Sequence, residues 1–101
     1  MDDTMTAIVA KALGHPARLQ ILRLLAAQTE CRGADVFSEL SLAQSTISEH
    51  LRLLREAGVV LSRPEGRGMT YCLAPTVLDD FIVAVSGLAS AAVLCRCDGE
   101  G

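Results

Sequence analysis

Two sets of side chains in this 101-residue sequence have types and spacing suited to chemistry: four cysteines, and a run of hydroxyl, amide and charged residues. The cysteines are Cys31, Cys72 and the pair in Cys95-Arg96-Cys97. Thiolates of this kind select thiophilic ions such as As(III), Cu(I) or Zn(II), and they also carry redox chemistry. The polar run is Gln44-Ser45-Thr46-Ile47-Ser48-Glu49-His50-Leu51-Arg52. Its small hydroxyls would let a helix approach base edges closely, where bulky apolar groups would hold it away. Catalysis would need a nucleophile, a base and a pocket. With only two histidines, His15 and His50, neither in a recognisable arrangement with a cysteine, the chain reads as a non-enzyme.

The elements that must position these residues follow from periodicity. A first helix is expected near Met5 to Leu13, stopped by Gly14. Pro16 suits the first turn of a second helix, Ala17 to about Ala27, apolar almost all round and therefore central to the core. After a polar break from Gln28 to Gly33, a short third helix covers Ala34 to Leu40. Ser41-Leu42-Ala43-Gln44 fits a capping box, with a fourth helix running to Ala57 and Gly58 as its left-handed stop. On that helix Ile47, Leu51 and Leu54 share one inward stripe, while Ser45, Ser48, Glu49 and Arg52 lie opposite. His50 projects toward the flank of the stripe, where packing or hydrogen bonding is expected of it.

Val59 to Arg63 and Met69 to Leu73 read as two strands, with Pro64-Glu65-Gly66-Arg67-Gly68 as their turn. Pro75 ends the second strand. Thr76 caps a last helix reaching about Leu94, with Leu78, Phe81, Ile82, Val85 and Leu88 on a broad apolar face. The expected architecture is mainly α with a small β-hairpin, α-α-α-α-β-β-α, a winged helix-turn-helix in one domain spanning residues 1–101. Gln44, Ser45, Thr46, Ser48, Glu49 and Arg52 are the candidate major-groove contacts, and Arg67 at the wing tip is placed to reach phosphate or a narrow minor groove. The bland alternative for the same helix face is a solvated surface held by Glu49–Arg52 and Arg52–Glu56 pairs.

Composition is compatible with that reading. The formal charge is −3, against the usual sign for a nucleic-acid binder, yet the acids gather near the ends. Between Arg52 and Arg67 there are four arginines and two glutamates, so the positive field is local. Half of the residues are hydrophobic, which leaves apolar surface over for a partner chain. Neither a secretion signal nor a stretch of roughly 20 uncharged apolar residues is visible, so a cytoplasmic protein with no membrane contact is expected.

Three stretches, in order, resemble the ArsR/SmtB family of bacterial repressors: Leu13-Gly14-His15-Pro16-Ala17-Arg18-Leu19-Gln20-Ile21-Leu22, the whole run from Leu42 to Val60, and Gly66-Arg67-Gly68-Met69-Thr70-Tyr71-Cys72-Leu73. The resemblance implies a two-fold homodimer built from the first and last helices, with Ile8, Leu78, Phe81, Ile82, Val85 and Leu88 at its interface. It also implies binding to double-stranded operator DNA, relieved by a metal, metalloid or thiol-reactive signal. The family's best known sensor sites are absent. The arsenic-type Cys-x-Cys would fall on Arg32 and Ala34, and the zinc-type site of the last helix needs histidines where none follows His50.

What remains for a sensor is Cys31 with Cys95 and Cys97, a trigonal soft site for As(III) or another soft metal ion, with no cofactor needed for folding. The expected function is accordingly a homodimeric repressor released from its operator by such an ion. Competing readings are a redox or persulfide switch between Cys31 and one C-terminal cysteine, a constitutive DNA binder, and a winged-helix protein-interaction module without DNA. Cys72, on a wing strand beside Tyr71, is expected only to pack.

Overall fold

A computed structural model describes residues 1–28 and 30–94. Its elements run α1 (Asp3–Leu13), α2 (Pro16–Ala26), β1 (Arg32–Gly33), a 3-10 helix (Ala34–Glu39), α3 (Gln44–Glu56), β2 (Val60–Glu65), β3 (Gly68–Leu73) and α4 (Val77–Leu94). The winged helix-turn-helix architecture is as expected, with two differences. The third helix is a 3-10 turn rather than an α-helix. The wing is a three-stranded antiparallel sheet in the order β1-β3-β2, not a hairpin alone.

Local chemistry explains most boundaries. Asp2 caps α1 by accepting from the Met5 amide at 2.8 Å. Pro16 opens α2, where the His15 ring caps by accepting from the Ala17 amide at 3.0 Å. α3 ends on Gly58 at φ +79°, and the amides of Gly58 and Val59 return to the Arg55 and Leu54 carbonyls at 2.9 and 3.0 Å. Those paired bonds close the last turn and aim the chain into β2. The start of α3 departs from expectation. Its N-cap is Ala43, with no side-chain cap, so Ser41 and Gln44 do not form a capping box.

The core lies where α1, α2, the 3-10 helix, α3 and the sheet meet. Val9, Ile21, Phe37, Leu54 and Val59 are its most deeply buried members. Leu19 remains partly open to solvent, so α2 is less uniformly buried than its composition implies. β2 and β3 pair from Val60↔Leu73 to Glu65↔Gly68, which sets Gly66, at φ +62°, and Arg67 at the tip of the wing. β1 adds Arg32↔Tyr71 and Gly33↔Thr70. α4 has no buried residue, although Leu78 and Phe81 rest against the core. The molecule is elongated, 56 × 26 × 24 Å.

Candidate nucleic-acid interface

The candidate recognition surface lies on α3, as the sequence pattern leads one to expect. Leu51 and Leu54 are buried and Ile47 packs beside them, which turns Gln44, Ser45, Thr46, Ser48, Glu49 and Arg52 to the outside. All six are exposed, and Arg67 is exposed at the wing. The uncapped N-terminus of α3 leaves its first amides open to an anion such as a DNA phosphate.

Both expected ion pairs on this face are present. Arg52 spans Glu49, through Nε at 3.0 Å and a second close Nη2 contact, and Glu56, through Nη1 at 2.6 Å. The hydrogen bond from Arg52 lowers the Glu49 pKa, and the two carboxylates hold the guanidinium firmly protonated. Three charges thereby sum to −1 along one exposed stripe. Contact with a base therefore requires Arg52 to share donors with its carboxylates, whereas Arg67 makes no ion pair among the described residues.

His50 is buried against the base of α2. Arg18 has only donors, so the 3.2 Å contact from its Nη1 makes His50 Nδ1 the acceptor of a neutral ring. The His15 ring lies 4.7 Å away between centroids. Burial first, then the His15 and Arg18 charges, lower the His50 pKa. Arg18 also donates to the Ala12 and Lys11 carbonyls at 2.7 and 3.2 Å, closing the end of α1. One side chain thus ties α1, α2 and α3 together.

The cysteines are arranged otherwise than expected. Cys31 and Cys72 form a disulfide, with Cα atoms 4.6 Å apart, so Cys72 is not simply a packing residue. The bond continues the β1–β3 register by one step beyond Arg32↔Tyr71, at the spacing of directly opposed strand residues. Bonded to Cys72, the Cys31 sulfur is not free for the three-sulfur site nor for a bridge to the C-terminus. Cys95 and Cys97 lie outside the described residues. Among the described residues no group of three or more His, Cys, Asp or Glu is placed to hold a metal ion.

The expected dimer face is divided by the fold. Ile8, Ile82 and Leu88 are exposed, Val85 is half-buried, and Leu78 and Phe81 face their own core. Val83, Val93 and Leu94, which the helical pattern left out, are among the most exposed apolar side chains. By length and composition α4 also meets the criterion for a membrane-crossing helix, although Asp79 and Asp80 stand in its first turn.

Comparison with known proteins gives these features a context. The family profile described as bacterial regulatory protein, arsR family, matches residues 15–62. An uncharacterized HTH-type transcriptional regulator of Mycobacterium tuberculosis H37Rv is 40% identical over 80 residues, covering 78% of this chain and 70% of that one. The arsenical resistance operon repressor of Escherichia coli K12 is 39% identical over 67 residues, covering 66% and 57%. The solution structure of a homodimeric winged helix-turn-helix DNA-binding domain from Mycobacterium bovis superposes with a TM-score of 0.68 at 26% identity, covering 99% of this chain and 97% of that one.

Proposed function

Because this chain belongs to the arsR family of bacterial regulatory proteins, and is thus a DNA-binding transcriptional regulator and not an enzyme, we propose that it is a homodimeric repressor of a specific operator. The observation that carries this reading is the division of α3. Its apolar stripe is sealed in the core while Ser45, Ser48, Glu49 and Arg52 face outward beside the Arg67 wing. α3 enters a major groove, Arg67 contacts the neighbouring backbone or minor groove, and the exposed faces of α1 and α4 pair across the two-fold axis. Acting on chromosomal DNA places the protein in the cytoplasm. The homodimeric relative favours a second copy, rather than a membrane, as the cover for α4.

The effector in this reading is a thiophilic species such as As(III), taken at cysteine thiolates and releasing the operator. Support comes from the likeness to an arsenical resistance operon repressor and from two sulfurs held side by side. The ligand set starts from Cys31 and Cys72 once their bond is reduced, with Cys95 and Cys97 as further sulfurs.

Selection from a random duplex library tests the first part. Enrichment of a two-fold symmetric site, with half-sites about one helical turn apart, is expected. A library that returns no enriched sequence and no gel shift overturns it and favours the protein-interaction reading. For the effector, arsenite added to phosphine-reduced protein on the selected duplex should release it. Release that survives replacement of all four cysteines by serine removes the thiolate site from the proposal, and no release by arsenite removes As(III).

A further inference from the structure

The geometry points to Cys31 and Cys72 as a reversible redox site that sets DNA affinity by fastening the wing sheet to the helix-turn-helix. The proposal rests on the DNA-binding reading above. Three observations carry it. First, β1 is only two residues long, Arg32 and Gly33, and such a strand is marginal without further support. Second, the chain passes from β1 directly into the 3-10 helix, whose Phe37 is buried against the edge of Tyr71, the β3 residue opposite Arg32. Tyr71, Phe37, Ile47 and Leu51 also border one cavity beneath the recognition helix. The Cys31–Cys72 bond therefore joins the first helix of the reading motif to the strand that carries the wing.

Third, both cysteines are only half-buried and border a shallow depression open to solvent beside Gln28 and Glu30, and Cys72 borders a second one beside Ser62 and Arg63. Small oxidants and thiols can reach them. A regulator working on chromosomal DNA operates where thiols are kept reduced, and disulfides there are usually transient, catalytic or redox-sensing.

The chemistry balances without a cofactor. One thiolate attacks a hydroperoxide, expels the alcohol and becomes a sulfenic acid. The neighbouring thiol then displaces water, so that ROOH and two thiols give one disulfide, ROH and H2O. The reverse step is exchange with an external dithiol, which leaves as its own cyclic disulfide while both protein thiols are restored. In the bonded state β1 is pinned and the two DNA-reading elements are preorganised. Reduction frees β1 and makes docking bear the cost of ordering it, about ten-fold in affinity.

The test uses the full chain and its library-selected duplex. Anisotropy is measured after peroxide and after dithiothreitol, with peptide mapping to identify the linked cysteines. Wild type should lose about ten-fold in affinity on reduction, while Cys31→Ser and Cys72→Ser variants, checked for helicity by circular dichroism, bind weakly under both conditions. Hydrogen exchange without DNA gives an independent reading: amides of β1 and the 3-10 helix should lose protection on reduction. Equal affinity of the mapped 31–72 disulfide and the dithiol overturns the proposal, as does unchanged protection. If exchange responds but neither form selects any duplex, the DNA-binding reading has failed instead.

Discussion

In the proposed complex Arg67 and Arg52 bring positive charge toward DNA in different ways, and the difference is measurable. Arg67 stands at the tip of the wing without a carboxylate partner among the described residues, which in the proposed complex makes it a phosphate contact. Arg67→Ala should weaken binding to the selected site and to random duplex alike, and lower the salt slope by about 0.9 for each phosphate left without its arginine. An unchanged slope in titrations at several salt concentrations removes the wing from the interface. Arg52 is already neutralised by Glu49 and Glu56, so releasing it to a base changes little in the counterion balance. Arg52→Ala should leave the slope nearly constant while flattening discrimination at one base pair by about 1–3 kcal/mol. His50 gives a pH dependence with a definite sign. Its folded pKa is depressed by burial, with His15 and Arg18 adding to the effect, so below the ordinary imidazole range the unfolded chain binds the extra proton. Stability is fully present above about pH 6.5 and falls as pH drops through that value. Thermal melts of wild type should show this decline, and His50→Gln should flatten it; identical slopes in the two proteins would rule out His50 as the source.

At the scale of elements, the end of α3 offers the sharpest test. Gly58 adopts φ +79°, and a Cβ there would meet only Val77 Cγ2, at 3.7 Å, an ordinary contact. Gly58→Ala should therefore cost the backbone strain alone, about 1–2 kcal/mol, seen as a lower denaturation midpoint with an unchanged m value. A midpoint that does not move removes the left-handed stop from the explanation. That stop was legible in sequence, as were the stripe of Ile47, Leu51 and Leu54 and the Gly-Arg-Gly tip, because each is a local pattern that its neighbours enforce. β1 was not legible. Arg32-Gly33 has no strand character of its own and is ordered by Tyr71 and Thr70, some 40 residues away in the chain. The capping box failed for a related reason. Four suitable residues were present, but the helix begins at Gln44 and takes Ala43 as its cap, so Gln44 is not at the third helical position that the box requires.

For the molecule as a whole, α4 is the least satisfied element, since none of its residues is buried. Introducing Asp at both Ile82 and Leu88 should convert the protein to monomer in sedimentation velocity and weaken operator binding, because two half-sites are then read separately. A dimer that survives both substitutions places the interface elsewhere. The apolar excess behind this reading was visible from composition, but its exact boundary was not, because Leu78 and Phe81 have the same periodicity as Ile82 and Leu88 yet serve their own core. The cysteines show the same limit at long range, for nothing near Cys72 indicates that Cys31 lies opposite. Their linkage encloses β1, the 3-10 helix, α3, β2 and the first part of β3, and leaves α1, α2 and α4 outside. A protease cutting after Arg67, at the tip of the wing, would sever the polypeptide between Cys31 and Cys72 without separating the pieces. The nicked protein would migrate as one species under non-reducing electrophoresis and part into two fragments only when a thiol is added.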